Sequence, residues 1–163
     1  MPDAADHRPD VHRPSGFSPA HAQQFCQAQA LVSAPAATAF ELLADVPRWP
    51  EWVPGIGGAR PGEAEHTFDV RFHEHRFEIF LGERVQPSRF GWSAVGAGVQ
   101  LHQSWLLTEA DHGTHVVTAN VVRVPAAASP DALSPLWAQR LNTLWLAQLR
   151  RLSQSSPAQE NGS

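Results

Sequence analysis

The sequence predicts an α+β domain: a curved antiparallel sheet wrapped around one long C-terminal helix, with two short helices after the first strand. Three observations carry this. Segments with side chains alternating at period two follow one another from 67 to 124 with only short turns between them, which implies antiparallel neighbours. One broad apolar stripe of helical period, Leu141, Leu144, Trp145, Leu149 and Leu152, lies near the C-terminus. Upstream, Leu42–Gly55 ends an amphipathic helix, breaks at Pro47 and sets Trp49 and Trp52 among prolines. A single sheet with one apolar face needs a cover, and the last helix is the right size for it. A strongly curved sheet around that helix leaves a cavity between the layers.

The elements follow in order. Phe25 to Ser33 reads as the first strand, and Ala34-Pro35 breaks it. Proline is tolerated at a helix start because the first-turn N–H groups have no intrahelical acceptor. Ala36 to Val46 then forms a helix with Phe40, Leu43 and Ala44 on one face, and Trp49 to Val53 forms a second helical turn. Two indoles on so short and interrupted a segment are costly unless they cover something apolar, which makes it a lid or wall.

Ile56 to Pro61 is glycine-rich and makes a weak strand. Thr67 to Phe72 sets Phe68, Val70 and Phe72 against Asp69 and Arg71, the pattern of a half-buried strand. His73-Glu74-His75 is a hairpin turn. Arg76 to Val85 puts Phe77, Ile79 and Leu81 on one face and Phe80 on the other. Arg89 to Val95 carries Phe90 and Trp92 on one side. Val99 to Thr108 alternates Val99, Leu101, Gln103, Trp105 and Leu107, with His102 and Ser104 outward. Asp111-His112-Gly113 is a hairpin signal, and Thr114 to Val124 is the last strand. An alanine-rich linker leads to a helix over Asp131 to Leu152, starting near Ser134-Pro135.

The chain of 163 residues suits one domain with a real core. Residues 1–23 are rich in Pro, Asp, His and Arg, and residues 155–163 are small and polar. Neither can bury enough apolar surface to offset about 1–2 kcal/mol of backbone entropy per residue, so both are expected as disordered tails around a folded unit of 24–154. A net charge of −4 without any Lys/Arg block argues against nucleic acid. No apolar run reaches the roughly 20 residues of a membrane span, and the N-terminus lacks an apolar signal core. The single cysteine, Cys26, cannot form an internal disulfide and fits a cytoplasmic setting.

This order and these residues resemble the START-related superfamily, specifically bacterial polyketide cyclase/dehydrase-like (SRPBCC-type) proteins. Ala34-Pro35 with Ala39-Phe40-Glu41-Leu42-Leu43-Ala44-Asp45 is similar to the family's first helix, and Trp49-Pro50-Glu51-Trp52-Val53-Pro54-Gly55 to its short second helix. Val85-Gln86-Pro87-Ser88-Arg89-Phe90-Gly91-Trp92 is similar to its strand-turn-strand, and Gly113-Thr114-His115-Val116 to its last hairpin. The likeness covers about 25–154 and implies the helix-grip fold. Ile56–Glu65 departs from it, being shorter and richer in glycine than the family's second strand. The family includes cyclases, lipid carriers, quinone-binding proteins and hormone receptors, so fold alone does not select among them.

Alternation brings Gln103, Thr118 and Asn120 onto the inner face, and Gln148 lies within the stripe of the last helix. A few convergent polar groups in an apolar cavity is the composition of a ligand pocket; the competing reading is that each simply pairs with a neighbour. The cavity or lid is expected from Trp49, Trp52, Val53, Phe77, Trp92, Gln103, Trp105, Thr118, Asn120, Trp137, Leu141 and Gln148. Trp92, Trp105, Trp137 and Trp145 read as core before ligand contact, whereas Trp49 and Trp52, on a broken segment that could form the mouth, are evenly balanced between the two.

His73 and His75 do not make a metal site, which needs three or four ligands. No glycine-flanked serine sits at a strand-to-helix turn, Cys26 has no evident base, and no catalytic residue is assigned. Cyclases of the resembled family orient poly-ketone chains with Arg, Tyr and Ser groups, and this chain has no tyrosine. The reading is a cytoplasmic protein that binds a hydrophobic or aromatic small molecule, with no cofactor. The alternatives are an aromatic polyketide cyclase or dehydrase, a quinone or lipid carrier, and an interaction module whose cavity is filled.

Overall fold

A computed structural model describes residues 24–124 and 137–161, with side chains of the final helix over 138–152. The expected N-terminal tail, the linker and the helix start near Ser134 lie outside the described residues. The first strand, β1, spans Gln24–Val32; helix α1 spans Ala36–Ala44, a 3-10 turn Val46–Arg48, and α2 Trp49–Trp52. Six strands follow: β2 (Ile56–Pro61), β3 (Thr67–Phe72), β4 (His75–Val85), β5 (Arg89–Gly96), β6 (Val99–Ala110) and β7 (Gly113–Arg123). Helix α3 spans Trp137–Asn161, continuing past Leu152 where the apolar stripe ends.

The strands form one seven-stranded antiparallel sheet in the order β1-β7-β6-β5-β4-β3-β2. Only the return of β7 to β1 is not a simple meander. The sheet is curved, and its register shifts between Ile56 and Gly58 and between Leu81 and Arg84 mark bulges, which bend a strand. The glycine-rich β2 is an ordered edge strand paired with β3. Helix α3 lies on β1 and β7. This is the helix-grip arrangement, with two short helices after the first strand.

Local chemistry explains the turns. Ala97 and Gly98 both have positive φ, 52° and 78°, the two-residue hairpin geometry that matches strand twist. Gly113 has φ of 150°, and a Cβ there would collide with the Val32 carbonyl, so only glycine closes the β6–β7 hairpin against the end of β1.

Helices α1 and α3 each receive a first-turn partner from a remote strand. The Ala36 N–H donates to Glu109 Oε1 of β6 at 2.8 Å, and the Ala138 N–H to Gln24 Oε1 of β1 at 2.8 Å. Helix α1 buries Ala36, Ala39, Phe40 and Leu43, a spacing that keeps one stripe on the core. Phe40 meets Phe90 edge-on at 5.6 Å.

The inner face follows the alternation: Val99, Leu101, Gln103, Trp105 and Leu107 are all buried. His102 and Ser104 turn to the opposite face but are not solvent-exposed, at 3% and 2%. They sit on a central strand where Ser93 Oγ lies 3.1 Å from His102 Nδ1, and Leu106, Ala119 and Val117 form a second small apolar cluster. Alternation sets direction; it does not set burial.

Candidate functional site

Tryptophan dominates the space between sheet and α3. Trp145, on α3, is at the centre of an indole cluster. Its ring centroid lies 5.0 Å from Trp49, 5.4 Å from Trp52, 5.2 Å from Trp92 and 6.0 Å from Trp105. Trp49 and Trp92 also meet at 4.7 Å, and Trp92 and Trp105 at 6.0 Å. Four elements converge here: α2 brings Trp49 and Trp52 on its proline-flanked turn, β5 and β6 present Trp92 and Trp105 inward, and α3 inserts Trp145. Such ring pairs contribute about 0.5–1.5 kcal/mol each beyond the area they bury.

The indole N–H groups are treated unequally. Trp49 Nε1 donates to the Leu43 carbonyl at 3.1 Å. Trp52 Nε1 and Trp105 Nε1 are buried and have no hydrogen-bond partner among the described residues. A stranded buried donor costs on the order of 1–3 kcal/mol.

Beside the cluster lies a cavity of about 50 Å³, lined by Trp49, Phe77, Trp92, Gln103, Leu141 and Trp145 together with aliphatic and aromatic residues of β2 to β6. That is room for one or two waters and not for a drug-sized ligand. Gln103 is the one polar side chain among the described lining residues. Its Nε2 donates to Thr118 Oγ1 at 3.1 Å, and Thr118 Oγ1 donates to the Ser104 carbonyl at 3.0 Å.

Of the twelve residues named from sequence, Trp49, Phe77, Trp92, Gln103 and Leu141 line this cavity. Trp52 and Trp105 join the indole cluster behind it, and Val53 is buried beside them. The α2 segment is therefore a closed wall, with Trp52 6% exposed. Thr118 anchors Gln103. Asn120 turns instead to α3: its Nδ2 donates to Asn142 Oδ1 at 2.5 Å, and Asn142 Nδ2 donates to the Cys26 carbonyl at 2.9 Å. Asn120 Oδ1 is buried without a partner among the described residues.

Gln148 departs from the inward placement. It is half-exposed and accepts from Arg151 Nε and Nη2 at 3.0 and 2.9 Å, because a guanidinium three residues on lies within easy reach along the helix. The side chain of Trp137 lies outside the described residues.

The sequence reading missed Asn142 and the central role of Trp145. The signal for Asn142 was present, since it stands three residues before Trp145 and seven before Leu149, on the buried stripe. Ile56, Val70, Ile79, Ala94 and Leu101 also line the cavity, as inward positions of their strands. Among the described residues no three His, Cys, Asp or Glu side chains gather to hold a metal ion, and no helix is long and apolar enough to cross a membrane.

Comparison with known proteins agrees with this geometry. Residues 32–147 match the family model described as polyketide cyclase / dehydrase and lipid transport. No match was found among curated proteins. Among solved structures, a hypothetical protein from Helicobacter pylori superposes with a TM-score of 0.72 at 14% identity, covering 90% of this chain and 97% of that one. A START superfamily protein from Mycobacterium smegmatis gives 0.67 at 13% identity, covering 80% and 97%. The Zhui aromatase/cyclase from a Streptomyces species gives 0.66 at 18% identity, covering 80% and 93%. At these identities the superpositions establish the shared fold. With the family model spanning most of the folded unit, the chain belongs to the polyketide cyclase / dehydrase and lipid transport family.

Proposed function

We propose that this protein binds a hydrophobic, aromatic small molecule between the sheet and α3, and holds it without transforming it. The observation that carries this is the cavity lining: aromatic and aliphatic side chains with Gln103 as the single polar group among the described residues. Stacking against indoles supplies affinity, and one amide orients the ligand. Acid–base chemistry of the cyclase or dehydrase kind requires a titratable group within hydrogen-bond reach of the substrate. None lines this space among the described residues, which favours binding over that alternative. Trp52 and Val53 are buried, so the exposed apolar mouth expected of a quinone or lipid carrier finds no support at α2. The free thiol of Cys26 fits a cytoplasmic location.

The free space of about 50 Å³ at this site is smaller than an aromatic ligand, so one held here displaces a side chain. The indoles are therefore both wall and reporter. Titrating the protein with flavonoids, quinones and fatty acids, with free N-acetyltryptophanamide as the inner-filter control, should give a saturable change in tryptophan emission at micromolar ligand for the aromatic members. A flat response across the panel would overturn the binding reading and favour a filled-core interaction module.

A further inference from the structure

We propose that the Trp145 indole occupies the ligand's own place, and that Nε1 of Trp52 and Trp105 are the donors that read an oxygen acceptor on the incoming ring. This rests on the binding reading above and specifies its ligand: a planar aromatic of about indole size or larger, carrying a carbonyl or comparable acceptor.

Two independent observations meet at one side chain. Trp145 is in ring contact with four other indoles, Trp49, Trp52, Trp92 and Trp105. Moving its ring aside leaves an aromatic box of the size it vacates, continuous with the small cavity that Trp145 already lines. The two buried indole donors without a partner among the described residues both belong to that box, at Trp52 and Trp105. Both meet Trp145 edge-to-face, at 84° and 69°. Their side chains are more than nine-tenths buried, at 6% and 1% exposure.

Folded proteins leave few buried donors unpaired, and two flanking one ring call for a physical reason. An indole such as Trp145 carries an N–H donor and no oxygen acceptor, so it fills the shape of the box and satisfies neither donor. A ring of similar outline bearing an oxygen does both. A site built to hydrogen-bond a ligand oxygen rejects the analogue lacking it, because its own polar groups are then left unpaired. Trp52 and Trp105 are on this account specificity-determining residues, and Trp49, whose N–H is already committed to Leu43, supplies stacking alone.

The test uses a matched pair of probes, 1-indanone and indane, which differ in one carbonyl. Dissociation constants come from ligand-observed NMR titration of the full-length protein. The wild type should bind indanone roughly tenfold more tightly than indane. Trp105→Phe and Trp52→Phe keep an aromatic ring but delete an N–H. Each should reduce that preference, read as the ratio of the two constants, so that the packing lost with the smaller ring, which both probes feel alike, cancels. Trp145→Ala should bind both probes at least tenfold more tightly than the wild type, since the place is already vacant. Trp145→Phe, with a smaller ring, should shift both constants the same way and serves if the alanine variant does not fold.

Equal affinity for the two probes in every variant that binds would overturn the donor assignment and leave the binding reading intact. A preference that survives in both Phe variants would also overturn it. Unchanged constants in the Trp145 variants would overturn the placeholder role. If no variant binds either probe, and the broader ligand panel is also flat, the binding reading itself falls and this proposal with it.

Discussion

Trp105 and Trp52 both contribute an indole to one cluster, yet their surroundings differ. Trp105 is on β6, with the sheet behind it and Trp92 and Trp145 in front. Its truncation to alanine leaves a hole that strands cannot collapse to fill, and should cost about 3–5 kcal/mol in a denaturant titration. Trp52 ends a four-residue helix and also borders a surface hollow of about 330 Å³ with Leu42, Arg48 and Leu152. Solvent and neighbouring side chains can move into the space it leaves. Trp52→Ala should therefore cost less stability than Trp105→Ala, and should change ligand affinity or release rate instead. Equal destabilisation with unchanged ligand affinity would make α2 ordinary core. Gly96 offers a backbone counterpart: a Cβ there would run into the Arg76 carbonyl and the Phe77 ring. Gly96→Ala should lower the denaturation midpoint clearly, because the obstruction is backbone of the paired strand and cannot swing away.

Helices and strands here hold one another by single polar contacts that their own sequences do not announce. Glu109, near the end of β6, accepts from the first N–H of α1. Glu109→Ala should cost about 1 kcal/mol, the usual loss on removing a helix cap, and Glu109→Gln should cost less because an acceptor remains. The Asn120–Asn142 pair ties β7 to α3, and Asn142 reaches on to β1. Removing one amide leaves its partner buried and short of a bond. Asn120→Ala and Asn142→Ala should each cost about 1–3 kcal/mol, and the double variant less than their sum. Strict additivity in that cycle would show that the two amides do not act as a unit.

For the whole molecule, binding and stability are linked, because a ligand held between sheet and α3 exists only in the folded state. An aromatic ligand present at 100 times its dissociation constant should add about 2.7 kcal/mol and raise Tm by on the order of 10 °C. The dissociation constant already contains the cost of displacing Trp145, so the comparison between proteins is made at one fixed ligand concentration. The variant Trp145→Ala, which has nothing to displace, should start less stable and gain more on binding. A thermal-shift series on the two proteins with one ligand measures that difference, and identical gains would argue that Trp145 stays in place when the ligand binds.

The alternation of Val99 to Leu107, the stripe from Leu141 to Leu152 and the proline-broken Trp49–Trp52 segment determined the architecture by themselves. Period and chain breaks are local properties, and a sheet with one apolar face has few ways to be covered. The same alternation brought Gln103 and Thr118 to the inner face. What it could not settle was partnership. Gln103 pairs with Thr118, Asn120 with Asn142, and Gln148 with Arg151, and each choice depends on distances between elements far apart in the chain or on reach along a helix. His102 was directed to the far side of the sheet by period, but its burial there is a property of the packed molecule. The Glu109 cap spans 73 residues of sequence. Above all, a count of tryptophans does not say how much room they leave. Only the crossing of α2, β5, β6 and α3 decided that four indoles would meet around Trp145, beside a cavity of about 50 Å³, with two of their N–H groups left without a partner among the described residues. Volume and hydrogen-bond satisfaction are sums over neighbours, and the neighbours are set by tertiary structure.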